Sequence, residues 1–316
     1  AELAEVIFEG RPFTYGADWQ VVAATLMELQ MKVPGPSRYD VNEVNSPSFG
    51  LRADEYAKID GFAGTIECVA GRPCGLAFNH RGELHLCHFY GDLCVYDVEY
   101  NLVKRVELPF HAPTQMAFAP TGELLIAFQQ QAAAAKAFAG DSLEELMDIG
   151  LGLITCAVGI TASRDRVFIS DGHEHAVQAF SLADGTWVAS LAGYFFQPSG
   201  LTIIEDRHLA VVDRGSNVVK LISLETMEAV GQVGWKQLME PNDVAVDGEG
   251  HLLVMDTGHE RIAVFNSNGT FLASVMPGLF KNHGNTYGYL ACNMETGDVA
   301  VSVSDTNSVG LLKLHR

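Results

Sequence analysis

The chain has 316 residues, 48% hydrophobic and 19% charged, which suits one large globular domain or two ordinary ones and excludes a disordered chain. Lys and Arg number 20 against 39 Asp and Glu, and the resulting net charge of −19 opposes binding to nucleic acid or to an anionic lipid surface. No apolar run approaches the ~18–20 residues that cross a bilayer, so no transmembrane segment is expected.

In chain order, Ala1 follows no charged-then-apolar leader, as expected of a mature or trimmed chain. With the sequon Asn268-Gly269-Thr270, this leans toward a secreted or organelle-lumen setting and leaves the compartment open. Residues 1–63 form an N-terminal extension. Within it, Ala17–Met31 reads as a short amphipathic helix, with Trp19, Val22, Leu26 and Leu29 on one face, and Val33-Pro-Gly-Pro36 stops it. Ser37–Phe62 is polar and loop-like. It is either a strap over the rest of the molecule or a docking arm for a partner.

From residue 64 onward a unit of four short strands recurs. One copy places strands at Val244–Val246, Leu252–Met255, Ile262–Phe265 and Phe271–Val275, with Gly and Asn at the joints and period-2 alternation within. Equivalent first-strand positions are Gly75, Gln115, Gly159, Gly200, Asp243 and Gly288, at intervals of 40, 44, 41, 43 and 45 residues. Second strands follow at 84–87, 124–127, 167–170, 209–212, 252–255 and 299–302. Each unit has an apolar face that only a neighbouring unit can bury. Residues 64–316 therefore read as an all-β, six-bladed β-propeller of four-stranded blades. The stretches Gln129–Lys136 and Asp141–Glu145 look helical in isolation, but the register places them in the hairpin and fourth strand of blade 2. The last unit lacks a fourth strand, and Thr65–Val69 has the right pattern to supply it, joining the two ends of the ring.

The patterns Gln197-Pro-Ser-Gly-Leu-Thr-Ile…Leu209-Ala-Val-Val-Asp213 and Pro241-Asn-Asp-Val-Ala-Val…Leu252-Leu-Val-Met-Asp256 resemble NHL repeats. The resemblance implies the propeller fold and leaves the activity open among binding scaffolds, sensor domains and a few enzymes. Its hallmark Asp at the end of the second strand stands here as Asp171, Asp213 and Asp256, with His88, Phe128 and Val303 in the other units. These carboxylates are expected to accept backbone hydrogen bonds from the next loop.

In a propeller, the loops joining blades and those between second and third strands share one face. Register puts Cys74, Thr114, Val158, Ser199, Asn242 and Tyr287 around the central opening of that face as candidate binding residues. His111, His173, His175, Arg214, His259 and His283 stand farther out. His173-x-His175 has a chelating spacing, but no third ligand is fixed by the sequence, so no metal site is assigned. The amidating lyases that the resemblance includes place zinc-binding His residues after the Pro opening a first strand. Those positions here hold Cys74, Thr114, Ser199 and Asn242. The gluconolactonase-like hydrolases use a Glu/Asn/Asp centre, of which only Asn242 is matched, since blade 1 opens with Arg72-Pro-Cys-Gly75.

No cofactor motif and no catalytic residue are identified. The expectation is a non-enzymatic protein-interaction or scaffold propeller, a subunit of a larger assembly, whose acidic charge fits a basic or neutral protein partner at the loop-rich face. The alternative is a metal-assisted lyase or hydrolase acting at that face. Six cysteines without a C-x-x-C pair argue against zinc ribbons and thioredoxin-like chemistry. If Tyr90-Gly91 is a two-residue hairpin loop, Cys87 and Cys94 are cross-strand neighbours on one face, as free buried thiols or as a bridge in an oxidising compartment.

Overall fold

Short apolar strands separated by tight turns pair in sequence order, because each turn returns the chain beside the strand it has just left. The structure, a computed structural model, describes residues 56, 59, 61–68, 71–108, 110–129, 133–276, 288–294, 296–303 and 307–312. The expected helix at residues 17–31 lies outside them. Six four-stranded antiparallel sheets form the ring. Blade 1 consists of Pro73–Phe78, Leu84–His88, Asp92–Tyr96 and Leu102–Glu107. Blades 2 to 6 open with Pro113–Phe118, Ala157–Ala162, Pro198–Ile204, Pro241–Val246 and Gly288–Cys292. Every repeat position read from the sequence falls on one of these innermost strands. The region that looked helical in blade 2 holds strands Ala135–Phe138 and Glu145–Ile149. Among the described residues of the ring, the helical elements are single 3₁₀ turns at Arg214–Ser216 and Thr257–His259.

The core is six separate apolar layers, one between each pair of adjacent blades. Outermost strands such as Leu102–Glu107 are mostly exposed, while second strands such as Leu252–Asp256 are buried throughout. Stability therefore rests on blade-to-blade contact, as in other stacked repeats. Gly64–Glu67 pairs antiparallel with Ser308–Leu312, which completes blade 6 and closes the ring. A second tie at the seam is Ser302 Oγ, which donates to the Cys74 carbonyl at 3.2 Å.

Inner strands converge so tightly that small residues are obligatory, as at Gly159 and Gly200. A Cβ on Gly159 would meet the Ser199 carbonyl oxygen at 2.4 Å, and one on Gly200 would lie 2.0 Å from Asp243 Oδ1. The Asp243 carboxylate lies inside this ring. It accepts from Gln115 Nε2 at 2.6 Å and from the Leu290 N–H at 2.9 Å, while Gln115 Oε1 accepts from the Ile160 N–H at 2.8 Å. Blades 2, 3, 5 and 6 are thus braced through one pair of side chains.

The hallmark carboxylates do accept backbone hydrogen bonds, but chiefly from the loop entering their own blade. Asp171 takes the Thr155 N–H, Asp213 those of Phe196 and Gln197, and Asp256 that of Met239. Asp171 also caps the following turn through the N–H groups of His173 and Glu174. Each carboxylate locks a blade-entry loop to its second strand.

Two expectations are corrected. In blade 1, Cys87 pairs with Leu93 and Leu86 with Cys94, one residue out of the register expected for a Tyr90-Gly91 turn. The loop is Phe89-Tyr90-Gly91, with Gly91 at φ 101° and its N–H bonded to the His88 carbonyl. Because side chains alternate faces, Cys87 packs between blades 1 and 2, Cys94 packs between blades 6 and 1, and both thiols are free. The polar reading of residues 37–62 also misses Tyr56. It is 1% exposed between blades 5 and 6 and donates from its hydroxyl to buried Asp247 at 2.6 Å.

Candidate functional site

At the loop-rich face the central channel opens into a cavity of about 420 Å³. The loop register delivers its lining: Cys74, Thr114, Val158, Ser199 and Asn242 follow the opening residues of their first strands, as the sequence placed them. Tyr287 lies outside the described residues, and Tyr289 takes the corresponding place. The first strands of blades 1 to 5 each carry a bulge after their opening residue, whereas Gly288–Cys292 pairs without one. Blade 6 therefore has a single residue, Tyr289, where the others have two. One residue fewer between Gly288 and the first buried apolar position, Leu290, is the signal that could have identified it.

Of the outer candidates, His173 and Arg214 reach this cavity, together with Arg72, Phe89, Gln129 and Cys156, which the sequence reading did not select. His175 does not join His173 as a chelating pair. Its backbone turns left-handed at φ 54°, and its ring stacks on Phe196 at 6.0 Å. His259 binds Asp256 through Nδ1 at 2.8 Å, and His111 Nδ1 lies 2.8 Å from the Tyr90 carbonyl. His283 lies outside the described residues.

The cavity's charge is opposite to that of the chain. Its lining includes Arg72, Arg214 and His173 and no carboxylate; outside the lining, Glu240 pairs with Arg214 at 2.9 Å and Asp171 accepts from the His173 N–H. A wider cavity of about 910 Å³ on the opposite face contains Glu205, Asp206, Asp247 and Glu249 against the single cation Arg207. Asp171, Asp213 and Asp256 are spent on backbone donors behind the cavity wall, and Arg72 and Arg214 line the opening.

Two polar atoms in the loop-face cavity are buried without a hydrogen-bond partner among the described residues, Thr114 Oγ1 and Asn242 Oδ1. Thr114 is 7% exposed and Asn242 4%; the Asn242 amide group donates to the Gly288 carbonyl at 2.8 Å, leaving its oxygen directed elsewhere. An unmet buried polar atom costs about 1–3 kcal/mol, which a group bound against the cavity wall would offset. Burial pushes the Cys74 thiol up to about 12 and raises Cys156, which keeps both protonated and removes them as thiolate nucleophiles. Burial likewise raises the Tyr289 hydroxyl. Among the described residues, no three His, Cys, Asp or Glu side chains group as they would around a metal. The ring at the mouth offers hydroxyl, amide, phenol and protonated thiol groups. That donor set does not fit the His-based zinc site that the resemblance to amidating lyases implies.

Among the described residues, no helix is long and apolar enough to cross a membrane. Comparison with known proteins adds four relationships. A 93-residue stretch is 34% identical to the Caenorhabditis elegans protein named Probable peptidyl-alpha-hydroxyglycine alpha-amidating lyase pgal-1, covering 27% of this chain and 27% of that protein. The match thus spans about a quarter of the relative's length. A streptogramin B lyase structure superposes with a TM-score of 0.58 at 12% identity, over 80% of this chain and 96% of that one. Selenomethionine-substituted virginiamycin B lyase from Staphylococcus aureus gives 0.57 at 13% identity, over 80% and 99%. At such identities the two structures speak to the fold alone. The NHL repeat model matches residues 238–265, the entry loop and first three strands of blade 5. The chain is a six-bladed β-propeller carrying an NHL repeat.

Proposed function

We propose that this propeller is a lyase-type enzyme whose substrate enters the loop-face cavity. The observation that carries the reading is the pair of unsatisfied buried atoms, Thr114 Oγ1 and Asn242 Oδ1, in a cavity that also presents His173 and Arg214. A scaffold face gains nothing from polar groups buried without partners. A substrate site does, because the ligand completes their hydrogen bonds. His173 is the side chain suited to moving a proton, and Arg214 and Arg72 are suited to stabilising negative charge on the substrate. The local identity to an amidating lyase supports this class of chemistry. For a peptidyl-α-hydroxyglycine, the hydroxyl proton leaves, the O–H electron pair becomes the carbonyl of glyoxylate, the Cα–N bond breaks and the amide nitrogen gains a proton. The balance needs neither water nor an oxidant.

The test is glyoxylate release from a peptidyl-α-hydroxyglycine by the full chain, with ring opening of a streptogramin B antibiotic measured in parallel. Turnover of either that falls at least a hundredfold in His173→Ala, with unchanged thermal unfolding, supports the reading. Absence of turnover on both, or activity indifferent to His173→Ala, refutes it.

The scaffold reading keeps one specific observation. The outer strands of blades 1 to 3 expose Leu102, Val103, Leu146, Trp187 and Val188, an apolar rim suited to a partner at the blade edges. The cationic cavity disfavours the basic partner expected at the loop face.

A further inference from the structure

The hairpin loop Phe89-Tyr90-Gly91 holds two aromatic rings out in solvent at the lip of the cavity. Phe89 is 36% exposed and Tyr90 66%, with the rings edge to face at 5.6 Å. The loop is not exposed through slackness. The Phe89 N–H donates to the Arg72 carbonyl at 3.0 Å, its carbonyl accepts from Ala112 at 2.9 Å, and the Gly91 carbonyl accepts from Leu108 at 2.7 Å. Gly91 is fixed as well, since a Cβ there would meet the Phe110 carbonyl oxygen at 2.6 Å. A rigid loop that leaves two large rings uncovered by the described residues works against the fold's own burial, so the rings answer to something beyond those residues. The Arg72 guanidinium lies 5.3 Å from the Phe89 ring centroid, which puts a cation and an aromatic surface side by side on one wall.

We propose that Phe89 and Tyr90 are the specificity element of this cavity, seating an apolar side chain of the ligand immediately beside an anionic group held by Arg72, in a cavity whose other walls carry His173 and Arg214. The ligand class is an amphipathic carboxylate, such as a peptide C-terminus whose preceding residue is apolar. Thr114 Oγ1 and Asn242 Oδ1 meet the polar atoms between the two ends. The proposal rests on the assignment of the cavity as the substrate site and is independent of the reaction carried out there.

Calorimetric titration of the full chain with three probes tests it: N-acetyl-Phe-Gly, N-acetyl-Gly-Gly and N-acetyl-Phe-Gly-amide. The first is expected to bind at least tenfold tighter than either of the others. Phe89→Ser with Tyr90→Ser, and Tyr90→Ser alone, should lower the preference for Phe over Gly to under threefold. Affinity for N-acetyl-Gly-Gly and the unfolding temperature should stay unchanged. Equal binding of the two acids, equal binding of acid and amide, or no binding of any probe would overturn the proposal. If N-acetyl-Phe-Gly is preferred while no lyase turnover is found, the recognition stands and the proposed reaction falls. If turnover is found without preference for Phe, the reaction stands and the role of the hairpin falls.

Discussion

Gln115 Nε2 in blade 2 donates a 2.6 Å hydrogen bond to Asp243 Oδ1 in blade 5, 128 residues further along the chain. Burial raises the Asp243 carboxyl from 3.8 to about 7, outweighing the Leu290, Val244 and Gln115 donors that act the other way. The unfolded chain therefore loses this proton from about pH 4 upward, the folded chain only near pH 7. The stabilising contribution is fully present below pH 4, declines as pH rises and is lost above 7, a change on the order of 4 kcal/mol. Asp243→Asn removes the titration. In urea unfolding at pH 4.5, 6 and 7.5, the variant should gain on the native chain as pH rises, and parallel pH profiles would refute the assignment.

Gly200→Ala is expected to lower stability by more than about 3 kcal/mol, because its methyl would overlap Asp243 Oδ1 deep in the ring. Gly61→Ala, with open space around the new Cβ, serves as the neutral control. Denaturant midpoints of the two variants give the comparison.

Asp213 and Lys220 form a buried ion pair at 3.0 Å, with side chains 0% and 8% exposed; the ammonium also donates to the Tyr194 carbonyl. Asp213→Asn keeps an amide oxygen for the N–H groups of Phe196 and Gln197 but leaves that charge poorly compensated, at a cost of about 3–5 kcal/mol. Replacing Arg105 of the more exposed Arg105–Asp92 pair by Gln should lower stability far less, because solvent screens the guanidinium. Similar losses from both changes would contradict this ordering.

The proposed boundary between extension and propeller near residue 63 can be located by truncation. Removal of residues 1–55 keeps Tyr56 and the closing strand and should lower the unfolding temperature least. Removal of 1–60 also forfeits the Tyr56–Asp247 bond, and removal of 1–70 opens blade 6 and should be severe. Tyr56→Ala in the full chain should cost about 3–5 kcal/mol. Equal effects of the 1–60 and 1–70 deletions would sink the closing role of Gly64–Glu67.

Thiol labelling follows burial. Iodoacetamide on the folded protein should modify partly exposed Cys156 before Cys87 or Cys94, which should react only on unfolding. Peptides containing Cys87 and Cys94 should show no mass change on reduction.

The ring was legible because each blade repeats a local code, with Gly, Asn and Pro at the joints and alternating apolar residues between them. What escaped the reading turns on single residues and on contacts across the axis. Gly91 in a left-handed conformation extends the blade 1 loop to three residues and moves Cys94 to the other face. The missing bulge in Gly288–Cys292 brings Tyr289, which the reading did not select, into the cavity lining. The cationic lining was hidden by the net charge of −19, an average that counts buried Asp171, Asp213 and Asp256 as if they faced solvent. No local pattern announces that Gln115 will meet Asp243, since their approach exists only once four blades are in place.

The seam tie between Ser302 and Cys74, 228 residues apart, has a kinetic consequence. Neither it nor the pairing of Gly64–Glu67 with Ser308–Leu312 can form until nearly the whole chain is available, so the first strand needed for closure waits for the last. Closing so long a loop is entropically costly and slow, and it comes after the local hairpins have formed. The same joint has no covalent link between its partners, so ring opening by thermal motion or by a pulling force should begin at blade 6. A chain stalled before residue 308 would expose one edge of an unfinished ring to its neighbours.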